Sequence, residues 1–161
     1  MKILNPSLDA QGLRVALVVS RFNHLISIRL LESARETLVS HGLDSADLEL
    51  YWVPGAFEIP LAARRLAETR RFDAIITLGS VIRGGTPHFD YVCRGVTDGV
   101  RQVMHDSGVP VAFGVLTTDD IDQALARAGG SDGNKGGEVA LAAIEMVQFT
   151  RGDRDHGPTG S

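Results

Sequence analysis

Four short apolar runs punctuate the chain: Val15–Val19, Leu48–Val53, Asp73 to Ile82, and Val111–Leu116. Each is nearly continuous in its apolar residues rather than alternating, the mark of a strand buried on both faces. Between them lie stretches of helical periodicity. In residues 22–41, Leu30, Ala34 and Leu38 recur at i, i+4 and i+8, while Arg29, Glu32, Arg35 and Glu36 supply a wet face. Gly42 stops that helix. Further helices are expected over 56–70, with Pro60 in the first turn, over 89–107, over 119–128 with Thr118 or Asp119 as N-cap, and over 138–150. The order β-α-β-α-β-α-β-α-α predicts an α/β fold with a four-stranded parallel sheet covered on both sides. The chain reads as one domain over 1–150, with a disordered tail over 151–161.

In such sheets ligands bind beyond the carboxyl ends of the strands. The segments that matter are therefore Ser20-Arg-Phe-Asn23, Pro54-Gly-Ala-Phe-Glu58, Gly79–His88 and Thr117-Thr118. Composition narrows the function classes. A formal charge of −4 argues against a nucleic-acid partner. No apolar run approaches the ~20 residues of a membrane span, and no signal-peptide h-region is visible near Met1. One cysteine, Cys93, permits no disulfide framework or cysteine zinc cluster. A cytoplasmic location is expected. The five histidines show no paired metal spacing, so no metal is expected.

Several short patterns fail on context. The residues around Lys135 do not complete a Walker loop, and no Gly-x-Gly-x-x-Gly occurs. Gly129-Gly-Ser-Asp-Gly133 fits the spacing of a nucleophile elbow, but a helix rather than a strand precedes Ser131. Other segments carry chemistry. Gly84-Gly-Thr-Pro-His88 offers bare backbone N–H groups and a hydroxyl at the start of a helix, a setting that favours an anion. His88 can exchange protons near neutral pH; a tight strand-to-helix turn capped by a histidine is the alternative. Arg127 and Lys135 bracket a glycine-rich loop and suit a phosphate, or are two solvated charges at helix ends. Lys135 is one of only two lysines beside fourteen arginines. Phe22 and Phe57 follow strand ends, where an aromatic ring can stack on a planar heterocycle. Phe113 lies within a strand, where such a residue is more often plain core.

Taken together, Ser20–Asn23, Val53–Pro60, Gly79–Cys93, Phe113–Asp119, and Arg127-Ala-Gly with Gly133-Asn-Lys-Gly136 resemble the lumazine synthase family of riboflavin biosynthesis. The resemblance spans about residues 10–150. It implies a three-layer α/β/α sandwich of flavodoxin-like type. The implied activity joins 5-amino-6-(D-ribitylamino)uracil to 3,4-dihydroxy-2-butanone 4-phosphate, giving 6,7-dimethyl-8-ribityllumazine with release of phosphate and water. No cofactor or metal is implied, because the substrate amine is the nucleophile.

Carried onto this sequence, the resemblance puts Phe22 on the uracil ring. It puts Ala56, Phe57, Glu58, Ser80, Val81 and Ile82 around that ring and the ribityl chain, and Gly85 and Thr86 on phosphate. His88 becomes the proton-transfer residue. Phe113 and Arg127 are expected from a neighbouring subunit, with Arg127 and Lys135 on phosphate and Glu138 supporting them. Many relatives carry Ala where this chain has Ser80. The implied assembly is a homopentamer with sites between subunits. The short Gly-Asn-Lys-Gly loop is similar to that of members forming sixty-subunit icosahedral shells. Small-molecule substrates and riboflavin synthase are the expected partners. The same scaffold could instead serve as a non-catalytic shell holding flavin or lumazine. An FMN electron carrier fits less well, because Ser20-Arg-Phe-Asn-His24 lacks the Ser/Thr/Gly-rich phosphate loop that carrier needs.

Overall fold

The computed structural model describes residues 1, 3 and 5–155, and side chains as far as Gly152. Four parallel strands form the central sheet: β1 (Val15–Ser20), β2 (Leu48–Val53), β3 (Ala74–Ile82) and β4 (Val111–Thr118), in the spatial order β2-β1-β3-β4. The expected α/β architecture of three layers, with a four-stranded parallel sheet, is what the chain adopts. Alternate residues of each strand feed two separate cores. Val15, Leu17 and Val19 of β1 and Ile76 and Leu78 of β3 face α1 (His24–Ser40) and α5 (Lys135–Asp155). Ala16, Val18 and Ile75 face α2 (Ile59–Glu68) and α3 (His88–Ser107). The continuous apolar runs of the sequence are thus the consequence of helices on both sides.

The helix pairs are held by close approach. Gly136 sits where any side chain would overlap the backbone carbonyl of Leu30 in α1, and a Cβ at Gly137 would lie 2.9 Å from the Ser33 hydroxyl. Part of the glycine-rich stretch therefore serves helix packing. The rest of it departs from the expected plain loop. After α4 (Ile121–Arg127), residues Ala128–Gly130 (β5) and Gly133–Asn134 (β6) form a small antiparallel hairpin.

Two expectations about helix ends are corrected. The N-cap of α4 is Asp120, whose carboxylate accepts the Gln123 N–H at 2.8 Å. Thr118 and Asp119 are occupied elsewhere: the Thr118 hydroxyl donates to the Asp120 carbonyl, and Asp119 pairs with Arg83. The last helix begins three residues before the expected Glu138 and continues to Asp155 rather than ending at residue 150. Arg151, expected in the tail, is helical and reaches back to Asp73 at 3.0 Å. The expected disorder over residues 156–161 lies outside the described residues.

Candidate active site

The carboxyl ends of β1, β2 and β3 converge. Beyond Ser20 the chain stays strapped to the β2 end, with Arg21 N–H on the Val53 carbonyl at 2.8 Å and Phe22 N–H on Pro54 at 3.1 Å. Asn23 then turns the chain into α1 in the left-handed region (φ 57°, ψ 48°), a conformation asparagine tolerates better than most residues. Its side-chain amide donates to the Ser80 carbonyl at 2.8 Å. One residue thereby ties the end of β1 to the end of β3. The motif containing it is plain in the sequence, but its role as a brace depends on the sheet order.

That order exposes a stretch of backbone. The pairing of β1 with β3 ends at Val19–Leu78, whereas β4 follows β3 as far as Ile82–Thr118. Over residues 80–82 the side of β3 that faced β1 has no strand partner, apart from the one Asn23 contact. Unpaired backbone groups of this kind must find water or a ligand.

The turn after β2 is a short 3-10 turn over Ala56–Glu58. The Glu58 carboxylate accepts the Gly55 N–H at 2.9 Å and closes the turn. Ala56 is buried, whereas the Phe57 ring is 62% exposed. The inner side of that ring rests on α3, where glycine is required: a Cβ at Gly95 would lie 2.6 Å from it. One turn later Gly99 does the same for Pro60. The two glycines seat the Phe57 turn and the start of α2 in a shallow groove of α3.

The loop between β3 and α3 is braced at its first residue. The Arg83 guanidinium bonds Asp119 at 2.9 Å, lies 3.5 Å from Asp90, and stacks 4.4 Å above the Phe89 ring. The hydrogen bond to Asp119 raises its pKa above the ordinary arginine value. After this anchor, Gly84 and Gly85 are bare, since a Cβ on either would meet nothing within 4 Å. Thr86 and Pro87 lead to His88, the exposed first residue of α3. The His88 ring makes no hydrogen bond among the described residues. Cys93, further along α3, has its thiol pushed up by burial and, secondly, by the nearby Asp90 carboxylate.

These turns enclose one cavity of about 590 Å³. Of the residues singled out in the sequence, Phe22, Ala56, Phe57, Glu58, Ser80, Val81, Ile82, Thr86 and His88 line it. Gly85 does not, but its neighbour Gly84 does. Phe89, Tyr91 and Val92, from the first turns of α3, complete the wall and were not foreseen. Their signal was there to be used: a helix that starts at a strand end turns its first side chains toward the site. The Ser80 hydroxyl is buried and has no hydrogen-bond partner among the described residues. A separate hollow of about 400 Å³ between α2 and α3 lies away from the strand ends, and its Arg64 and Glu68 are already paired at 3.1 Å.

Besides Gly85, three expected residues lie outside the cavity of a single chain. Phe113, 37% exposed, stands on the edge strand β4. Arg127 ends α4, and its Nη1 donates to the Gln123 carbonyl at 2.9 Å. Lys135 begins α5 and pairs with Glu138 at 2.7 Å. Among the described residues no group of three His, Cys, Asp or Glu side chains is placed to hold a metal ion. Among the described residues no helix is long and apolar enough to cross a membrane.

Chemically, the cavity offers the aromatic rings of Phe22, Phe57, Phe89 and Tyr91, an open backbone edge, the bare amide of Gly84, one carboxylate and one imidazole. It suits a planar polar heterocycle beside an anionic group. The sequence model of the family described as 6,7-dimethyl-8-ribityllumazine synthase matches residues 12–151.

Proposed function

The chain belongs to the lumazine synthase family, and from that premise we propose that it condenses 5-amino-6-(D-ribitylamino)uracil with 3,4-dihydroxy-2-butanone 4-phosphate to give 6,7-dimethyl-8-ribityllumazine, phosphate and water. Membership supports a role in riboflavin biosynthesis and a transferase activity. The observation that carries the specific reaction is the single cavity in which Phe22, the open edge of residues 80–82, Thr86 and His88 meet.

In this reading the uracil ring stacks on Phe22, gaining contact area and ring–ring attraction. Its amide groups pair with the backbone groups of residues 80–82 that β1 and the Asn23 contact leave open, a donor–acceptor edge that matches a pyrimidine dione. Ala56, Phe57 and Glu58 flank the ribityl chain. The bare amides of Gly84 and Gly85, the Thr86 hydroxyl and the start of α3 receive the phosphate of the four-carbon substrate. The substrate amine attacks the ketone, and water leaves as the imine forms. Phosphate elimination, and ring closure with loss of a second water, then require protons to be moved at carbon, nitrogen and oxygen. His88 performs those transfers, since an imidazole both gives and takes protons near neutral pH. Holding two substrates in one cavity supplies the remaining acceleration, up to about 7–11 kcal/mol in favourable cases.

Phe113, Arg127 and Lys135 enter this scheme from a neighbouring copy of the chain. A homopentamer with sites between subunits is the assembly proposed, extended to a sixty-subunit shell. A cytoplasmic location and hand-over of product to riboflavin synthase complete the proposal. The test is direct: purified protein is mixed with both substrates and the absorbance of the lumazine product is followed. Product formation supports the synthase. Tight binding of the uracil substrate without any product overturns it in favour of a flavin- or lumazine-holding shell.

A further inference from the structure

Asp132 belongs to Gly129-Gly-Ser-Asp-Gly133, the stretch whose resemblance to a nucleophile elbow fails. The β5–β6 hairpin gives it another use. Gly129 (φ 98°) and Gly133 (φ 80°) both hold left-handed conformations that turn the hairpin. The Asp132 N–H then bonds the Ala126 carbonyl at 2.9 Å, which fixes the residue against the last turn of α4. Its carboxylate lies 3.5 Å from Nη1 of Arg127. The same Nη1 donates to the Gln123 carbonyl at 2.9 Å. Both contacts fall on one nitrogen. Among the described residues, Nη2 and Nε of Arg127 have no partner.

A guanidinium grips phosphate best through two parallel N–H groups on one edge. A long side chain normally loses rotamer freedom when it does so, and a side chain already held loses less. We propose that Asp132 is a positioning residue: it holds Nη1 of Arg127 and so reserves the Nη2–Nε edge for the phosphate of the four-carbon substrate. The inference rests on the reading of Arg127 as a phosphate ligand. Asp132 touches no substrate and acts only through Arg127. Fold stability is not the reason for the pair, since both partners are substantially exposed (43% and 53%) and such pairs add little to folding.

Steady-state kinetics of the assembled enzyme test it. Asp132→Ala is expected to raise KM for the phosphate-bearing substrate about three- to tenfold. KM for the uracil substrate and kcat are expected to stay within about twofold of the wild type. In an Arg127→Ala background the same substitution is expected to change nothing further, because the residue it acts through is gone. An unchanged KM, a lowered KM (which would make Asp132 a competitor of phosphate) or full additivity with Arg127→Ala each overturns the inference. Asp132→Asn, which keeps the shape and removes the charge, replaces the alanine variant if that variant does not assemble. A wild-type protein that forms no product overturns the synthase reading and this inference with it. An active wild type with an indifferent Asp132 overturns this inference alone.

Discussion

His88 stands at the exposed start of α3, in reach of a cavity whose other polar groups are mostly backbone. Glu58, the carboxylate that also lines the cavity, is held by the Gly55 N–H at 2.9 Å, and the proposed reaction assigns its proton transfers to the imidazole. His88→Ala is expected to lower kcat by about 10²-fold, the low end of what general acid–base catalysis contributes. Both KM values should move little, as read by product absorbance. A loss confined to KM would make His88 a binding residue instead. At the other edge of the sheet, the Tyr51 hydroxyl donates to Glu49, which also holds Arg71. The hydrogen bond to Glu49, then burial, raises the Tyr51 pKa above 10.0, and Arg71 partly offsets this. The folded state thus favours the neutral phenol. Its contribution to stability is complete below the ordinary tyrosine pKa of ~10 and fades as pH climbs through the raised value. Denaturation of wild type and Tyr51→Phe should therefore differ more at pH 9 than at pH 11, and an equal difference at both would contradict it.

The elements are where most of the chain is legible without coordinates. Strands such as Val15–Ser20 announce themselves because burial on two faces leaves no polar alternation, and the helices between them keep a 3.6-residue rhythm. The cavity wall from Phe22 to His88 is legible for a related reason: parallel topology sends every turn after a strand to the same end. Asn23 escaped because its partner, the Ser80 carbonyl, is 57 residues away and meaningful only once β1 and β3 are neighbours. The β5–β6 hairpin escaped because a run of glycines reads alike whether it turns, coils or packs. Gly136 shows the packing case. Gly136→Ala places a methyl group on the Leu30 carbonyl and must part α1 from α5. A loss of about 3 kcal/mol is expected in urea denaturation, despite the roughly 1 kcal/mol that alanine gains over glycine inside a helix. A neutral outcome would show that α5 can shift freely along α1.

At the scale of the whole molecule, the cavity of one chain holds Phe22, Phe57 and His88, whereas Phe113, Arg127 and Lys135 lie outside it. Subunits carrying His88→Ala and subunits carrying Arg127→Ala, each nearly inactive alone, should complement when refolded together. Random mixing in equal amounts restores about a quarter of the sites if each site draws on two copies. No recovery of activity would place both residues in the same chain's site. Native mass measurement on the same sample reports the copy number, with multiples of five expected. The pairing of α1 with α5 has a further consequence during synthesis. The first helix and the last cover the same core face, so Leu30, Ala34 and Leu38 wait for Ala140, Ala143 and Ile144. At about 5–20 residues per second, that face stays uncovered on the ribosome for roughly 5–20 s. The opposite face is roofed earlier, by α2 and α3 as they emerge. A nascent chain halted before Lys135 would therefore present one finished side and one greasy side, and it is the latter that a chaperone would find.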